Sequence, residues 1–280
     1  MNCFAIIRII ISRQGNKVAD RSPFTVHRFK MKDKLYQYIL MLGDNSMMLG
    51  HRLSELCGHA PTLETDIALT NISLDLFGQV RNYFQYAAEL NGEELNEDKI
   101  AFLRYPHEYK NVLLVEQPNT DFAYIITRQF FFDAYHLPLL EQLQHSNDSQ
   151  IAAIAAKSIK EVRYHLRFSS EWMKRLGGGT EVSRQKTQAA VNYLWSYAGE
   201  LFKASDIELE MLDFGIGADL GQVKVQFDQK VQEVFNAVDL VIPNEKWIKS
   251  GGKTGIHSEH LGYILADLQY MQRTYPDMKW

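Results

Sequence analysis

Apolar residues recur every three or four positions through most of this chain, which is the period of one face of an α-helix. The clearest example is the segment 151–176, which we predict to be a long packed helix. Its inward face carries seven apolar or small residues: Ile151, Ala155, Ser158, Val162, Leu166, Ser169 and Trp172. Glu161 and His165 lie four residues apart at the edge of this face, one turn after Lys157. Because burying either group alone is costly, we expect a metal site, an ion-paired network or acid–base chemistry there.

The same pattern predicts further helices at 32–56, 62–90, 121–144, 181–203, 222–240 and 258–274. Thr62 is the expected N-cap of the second helix, which is apolar on several faces and should be the most buried one. The segment 105–119 contains two prolines and should be an irregular crossover, and 205–221 should be a polar connection. Four helices of about 25 residues, the second pair reached through a longer connection, predict an all-α fold: a ferritin-like four-helix bundle with additional C-terminal helices.

Composition narrows the class of protein further. The chain has 280 residues and a formal net charge of −4, without the basic surplus of a nucleic-acid-binding protein. Its two cysteines, Cys3 and Cys57, are far apart and show no metal-binding spacing. We therefore expect a cytoplasmic protein in a reducing environment.

The N-terminal residues 1–30 are expected to be a poorly determined extension. Their short apolar run at 4–11 is interrupted by Arg8, so it neither spans a membrane nor forms a signal peptide. The strong helical pattern begins at Met31, which is also a candidate start codon. We therefore expect the ferritin-like helical domain to occupy residues 31–280.

Carboxylates and imidazoles occur on all four predicted bundle helices. Diiron and dimanganese bundles use one Glu from each of two helices and a Glu-x-x-His motif from each of the other two. The candidates here are Asp44, Asp75, Asp133, His136, Glu161 and His165. Their spacing departs from the motif, because Gly78 stands three residues after Asp75 and because His165 lies four residues after Glu161. We predict a vestigial polar core without metal. The expected partners of its side chains are Lys157, Arg128, Arg163, Asn71 and Gln79.

Two glycine-containing segments carry weaker signals. The segment GIHSEHLG places His257 and His260 beside Glu259, where helix capping or an interface contact is expected rather than metal binding. The loop SGGKTG lacks the spacing of a phosphate-binding loop, so we do not expect nucleotide binding there.

Four stretches of the sequence carry a resemblance to a known family: LGDNSMMLGHRLSELCGHAPTLETDIALTNISLDLFGQVRNY, NVLLVEQPNTDFAYIITRQFFFDAY, AAKSIKEVRYHLRFSSEWMKRLGGGT and HSEHLGYILADLQYMQRTYP. From about Lys34 to Trp280, the chain resembles the PaaC subunits of the bacterial 1,2-phenylacetyl-CoA epoxidases, also called phenylacetate-CoA oxygenases. The first thirty residues have no counterpart in that family, which favours Met31 as the natural start.

The resemblance implies a structural, non-catalytic, ferritin-like subunit of a heteromeric monooxygenase complex. That complex epoxidises the ring of phenylacetyl-CoA in phenylacetate catabolism, a route of aromatic degradation. The implied partner is a ferritin-like diiron catalytic subunit, beside other epoxidase components, and a separate reductase with flavin and iron–sulfur groups supplies electrons from NADPH. This chain itself would hold no cofactor, and neither nucleic acid nor membrane is an expected partner.

The resemblance also implies contact with phenylacetyl-CoA at the border between subunits. The matching positions are Glu108, Tyr109, Lys110, Asn111, Leu209, Glu210 and Met211. Lys110 could meet a CoA phosphate, and Leu209 and Met211 could cover apolar parts of the ligand. The partner interface itself is expected to use aromatic residues of helix 121–144, because the members of this run cannot all face one direction: Phe130, Phe131, Phe132 and Tyr135.

Two alternative functions are left open by the residues. One is an independent diiron carboxylate oxygenase with an atypical ligand set drawn from the six polar-core candidates. The other is a stand-alone bundle that carries an acyl-CoA. Metal content of the lone chain separates the first from a structural subunit, and binding of phenylacetyl-CoA by the lone chain would indicate the carrier.

Overall fold

The computed structural model describes residues 23–92, 95–244, 247–276 and 278, with side chains from Met31 onward. The chain divides into two units, Met1–Asp33 and Lys34–Trp280. The expected domain boundary at residue 30 stays a prediction, and the first helix begins before it, at Pro23. The apolar run of the N-terminal extension, with Cys3, lies outside the described residues.

The described part of the chain contains α-helices and no β-strand, which confirms the predicted all-α class. The helices are α1 Pro23–Ser54, α2 Leu63–Asn91, α3 Glu97–Phe102, α4 Phe122–Leu143, α5 Ser149–Gly177, α6 Glu181–Ala198, α7 Asp206–Asp213, α8 Leu220–Asn236 and α9 Glu259–Thr274. Short 3-10 turns lie at Pro106–Glu108, Gly199–Phe202 and Gly252–Thr254. The four long helices α1, α2, α4 and α5 are those of a ferritin-like bundle. Among the described helices, none has both the length and the apolar character needed to cross a membrane.

Local sequence signals set several helix ends. Thr62 caps α2, as predicted, because its hydroxyl accepts a hydrogen bond from the Thr65 N–H at 3.3 Å. α5 ends at the predicted glycine run, where the Gly178 N–H donates to the carbonyl oxygen of Lys174 at 2.9 Å. The predicted polar connection after α6 instead contains α7, which begins with a capping box formed by Ser205 and Glu208.

The core is built around α4, which packs against α5, α6 and α8 and buries most of its side chains. The prediction that α2 is the most buried helix is therefore wrong. Leu63, Ile67 and Leu74 of α2 expose 71%, 52% and 61% of their surface. α2 lies at the edge of the described bundle, so its apolar residues outnumber the positions that the bundle covers.

The aromatic run of α4 lies wholly inside the chain. Phe130, Phe131, Phe132 and Tyr135 are all buried, so the prediction that one of them faces a partner is wrong. The physical reason is that other elements of the chain surround α4. The rings of Phe130 and Phe131 pack against Phe235 of α8, with centroids 6.2 and 6.3 Å away, and Tyr135 packs on the 3-10 turn after α6.

Candidate functional site

Asp44 of α1 is a fully buried carboxylate that is engaged by the segment between α3 and α4. Its Oδ2 accepts hydrogen bonds from Arg104 Nη1 at 2.9 Å and from the Lys110 N–H at 2.8 Å, and its Oδ1 accepts one from Arg104 Nη2. The guanidinium of Arg104 also lies over the ring of Tyr109, 4.1 Å from its centroid. The charge of Asp44 is thus compensated by a cation that the sequence analysis did not name as its partner.

Asp75 of α2 and His165 of α5 form a second polar pair in the bundle. His165 is buried, and its Nε2 lies 2.9 Å from Oδ2 of Asp75, which is partly exposed. Glu161 lies one turn before His165, as predicted. Burial and the charge of Asp75 raise the pKa of Glu161, while His165, Lys157 and Gln79 act to lower it. This group joins α2 to α5 through charge and hydrogen bonding.

Asp133 and His136 of α4 are both buried among the bundle helices. Gln129 Nε2 and Ser169 Oγ donate hydrogen bonds to the two carboxylate oxygens of Asp133, each at 2.7 Å. Burial raises the pKa of Asp133 to about 7, although His165 and the two hydrogen bonds act in the opposite direction. Burial lowers the pKa of His136 to about 3, so its ring is neutral at physiological pH.

These side chains do not assemble into the donor set of a dinuclear metal site. Asp44 is bound by a guanidinium, Asp75 by an imidazole, and Asp133 by an amide and a hydroxyl group. Within the described residues, no group of three or more His, Cys, Asp or Glu side chains is placed to hold a metal ion. Metal content itself stays a prediction, which elemental analysis tests.

Two of the cationic partners predicted for the polar core lie elsewhere. Arg128 is fully buried, but its Nη1 donates to the carbonyl oxygen of Gln117 and its Nη2 to Asn119 Oδ1 at 2.7 Å. Burial lowers the pKa of Arg128 to about 10. Arg163 pairs with Glu141 at the surface, at 3.5 Å. The rotation of α4 and α5 directs both side chains away from the carboxylates with which the sequence analysis paired them.

Of the proposed ligand contacts at 108–111, two lie in the interior. Tyr109 and Asn111 are fully buried, and the Tyr109 hydroxyl donates to a backbone carbonyl oxygen of α3 at 2.8 Å. Glu108 is exposed, and Lys110 is partly exposed. Glu108 and Lys110 therefore reach the surface of the described chain, whereas Tyr109 and Asn111 contact other residues of the same chain.

The second set of proposed ligand contacts lies on α7. Leu209 is exposed, Met211 is fully buried, and Glu210 forms an ion pair with Lys34 of α1. The segment 108–111 reaches the same helix at Asp44. The positions of Lys34 and Asp44 are about 15 Å apart along a helix axis, because each residue adds 1.5 Å. The two sets thus contact α1 at separate levels.

Glu116 is a fully buried carboxylate that the sequence analysis did not single out. Its Oε1 accepts a hydrogen bond from the Ser258 N–H at 2.8 Å, and its Oε2 lies 3.1 Å from His257 Nδ1 and 3.3 Å from Asn111 Nδ2. His257 Nε2 lies 2.9 Å from the carbonyl oxygen of Tyr109. His257 therefore makes an internal contact rather than the expected interface contact. The available signal was a charged residue inside the apolar stretch NVLLVEQPN.

The loop SGGKTG forms a second internal anchor. Lys253 is buried, and its Nζ donates to Glu208 Oε1 at 2.8 Å and to two backbone carbonyl oxygens at 3.1 and 3.2 Å. Glu200 accepts hydrogen bonds from the N–H groups of Gly251 and Leu113, each at 2.7 Å. The lysine is thus engaged within the chain, in agreement with the expectation that this loop does not bind a nucleotide.

The long helices and their inward-facing carboxylates and histidines define a ferritin-like bundle protein. A family model described as phenylacetic acid catabolic protein matches residues 23–280, and the chain belongs to that family. A curated relative, the PaaC-type subunit of 1,2-phenylacetyl-CoA epoxidase from Escherichia coli (strain K12), is 50% identical over 248 residues. The matched region covers 89% of this chain and 100% of that relative. The resemblance noted in the sequence is thereby confirmed.

Proposed function

We propose that this chain is a structural, non-catalytic subunit of a phenylacetyl-CoA epoxidase in aerobic phenylacetate catabolism. The observation that carries the proposal is the 50% identity to the Escherichia coli epoxidase subunit, which extends over the whole length of that relative. The engagement of Asp44 by Arg104 and of Asp75 by His165 supports a role without metal chemistry, because those carboxylates already have partners.

In this proposal the chain pairs with a ferritin-like diiron subunit that carries out the oxygenation. Electrons reach that iron from NADPH through a separate reductase with flavin and iron–sulfur groups. The chain itself contributes a rigid helical surface that holds the iron-bearing helices of its partner in position. Contact with phenylacetyl-CoA at the border between the subunits is proposed for the side chains that reach the surface: Glu108, Lys110 and Leu209.

Metal analysis of the lone chain tests this proposal. The chain would be expressed alone in cells supplied with iron and manganese, purified, and compared with the co-expressed pair by elemental analysis. We expect no stoichiometric metal in the lone chain and iron in the pair. About two metal ions per lone chain, the content of a dinuclear bundle site, would instead support an independent diiron oxygenase.

Catalysis and ligand binding provide a second readout. The diiron subunit with its reductase should epoxidise phenylacetyl-CoA when this chain is present and lose most of that activity when it is omitted. Calorimetric titration of the lone chain with phenylacetyl-CoA should show little binding. Strong binding by the lone chain, without any requirement for it in the epoxidase reaction, would support the acyl-CoA carrier instead.

A further inference from the structure

The outer face of α2 carries a regular row of exposed residues, here called the α2 stripe. Its members follow at steps of four and three residues, the spacing of a coiled-coil seam: Ile67, Asn71, Leu74, Gly78 and Arg81. Leu63 extends the stripe by one turn. The stripe ends where Gln85 Nε2 donates to Glu97 Oε1 of α3 at 3.0 Å. Large apolar side chains exposed at such a spacing mark an interaction surface rather than scattered exposure.

Gly78 lies in the middle of the α2 stripe, and neither of the usual reasons for a glycine applies to it. It is not among the glycines with a positive φ, and a Cβ added there meets no atom within 4 Å. Glycine inside a helix is unfavourable compared with alanine. A glycine at this position allows a neighbouring helix to approach α2 closely, since the distance between packed helices depends on the side chains at the contact.

A cavity of about 550 Å³ opens beside the α2 stripe, between α1, α2 and α3. Its apolar wall consists of Met47, Phe77, Val80, Phe84, Ala101 and Phe102, and Arg81 belongs both to the cavity and to the stripe. His51 packs edge-on against Phe77 in this wall, with ring centroids 4.9 Å apart, and burial lowers the pKa of His51 to about 4. The cavity thus suits a large apolar side chain of a docked protein, as buried anchors of interfaces do.

The size of the α2 stripe indicates what kind of partner covers it. From Leu63 to Arg81 the stripe is about 27 Å long, and one helix is about 10 Å wide, so it offers about 270 Å². A stable interface buries roughly 800 Å² on each partner. A single docked helix would therefore be too small, and the partner must also cover the neighbouring surface.

The geometry points to the α2 stripe and the adjoining cavity as the docking surface for the helical bundle of the diiron subunit. One helix of that bundle lies along α2 at Gly78, and a large apolar side chain of the bundle enters the cavity. This inference rests on the proposed function, because it names the surface through which the proposed partner binds.

Binding measurements with matched variants test the assignment. Leu74→Asp places a charge in the stripe, Gly78→Leu fills the space at the close approach, and Ala101→Leu reduces the cavity. Val225→Asp on α8 and Gly262→Leu on α9 are the controls, because Val225 is 56% exposed and an added Cβ at Gly262 also meets no atom within 4 Å. Each full chain is titrated with the purified diiron subunit, and thermal unfolding of the lone chain verifies that it is folded.

We expect the three face variants to weaken association by about 10-fold or more, as at other interface hot spots. The control variants should bind like the parent chain, and Gly78→Leu should leave the melting temperature of the lone chain unchanged or higher. Unchanged binding of all three face variants, with normal binding by the parent chain, would refute the assigned surface and leave the proposed function standing.

Two other outcomes concern the partner. A parent chain that does not bind the diiron subunit would contradict the proposed function itself. A lone parent chain that sediments as a dimer, and that the face variants convert to a monomer, would show that a second copy of this chain covers the α2 stripe. That result would overturn the assigned partner.

Discussion

Asp133 is a carboxyl group in the interior of the bundle whose pKa burial raises to about 7. An aspartate in the unfolded chain titrates near pH 4. Between these two values, the folded chain retains a proton that the unfolded chain releases. The stability that depends on Asp133 is therefore greatest below about pH 4, falls as the pH rises to about 7 and is constant above it.

We predict that Asp133→Asn makes the chain less sensitive to rising pH. The asparagine keeps the shape of the side chain but does not ionise. Relative to the parent chain, the free energy of unfolding of the variant should rise by roughly 2 to 3 kcal/mol between pH 5 and pH 8, at about 1.4 kcal/mol for each pKa unit. Urea unfolding at the two pH values measures this difference. Asp213→Asn, at an exposed carboxylate of α7, is the control. Parallel stability profiles for Asp133→Asn and the parent chain would argue against the raised pKa.

At the scale of the element, Glu116 attaches the start of α9 to the crossover between α3 and α4. It accepts the Ser258 N–H and faces donor nitrogens of His257 and Asn111. Hydrogen bonds to a charged group are worth about 1.5 to 3 kcal/mol each. The anchoring of α9 therefore depends on one buried carboxylate.

We predict that Glu116→Gln loosens α9 more than the rest of the bundle. The amide nitrogen of glutamine cannot accept a hydrogen bond, so at least one donor facing Glu116 is left unpaired. Amide hydrogen exchange in α9 should accelerate by about 10-fold or more, which corresponds to roughly 1.4 kcal/mol. Exchange in α4 should change little, and Glu259→Gln, at an exposed position of α9, should have no such effect. Uniform acceleration in all helices would show instead that Glu116 stabilises the whole fold.

At the scale of the whole molecule, the pair of His165 and Asp75 joins α2, which carries the α2 stripe, to α5 in the interior. The position of α2 on the bundle therefore depends on this pair. If the proposed function holds, damage to the pair should impair assembly of the complex without changing the iron site of the partner.

We predict that His165→Ala lowers both the stability of the chain and the yield of the complex. Loss of a buried side chain and of its hydrogen bond should reduce the free energy of unfolding by about 1 to 3 kcal/mol. The iron content of each assembled complex should stay unchanged, because the iron belongs to the partner. Lys157→Ala, at an exposed position of α5, is the control. Loss of iron at an unchanged yield of complex would indicate that His165 belongs to a metal site.

The sequence by itself determined the helices of this protein. Helical periodicity depends on residues three and four positions apart, and caps such as Thr62 act on amides of the same turn, so both can be read locally. The all-α bundle, most helix positions and the family resemblance were accordingly predictable. The short helix α7 was missed, since its capping box lies in a stretch too short for a periodic pattern.

The tertiary structure alone decided which side chains meet and which remain exposed. Asp44 pairs with Arg104 and Arg128 binds the segment before α4, because contacts between distant residues depend on how each helix is rotated and placed. The same reason explains why the phenylalanine run of α4 is internal while Ile67 and Leu74 of α2 are exposed. Hydrophobicity indicates that a residue tends to be buried, but the packing of the whole bundle determines whether its own chain or another protein covers it.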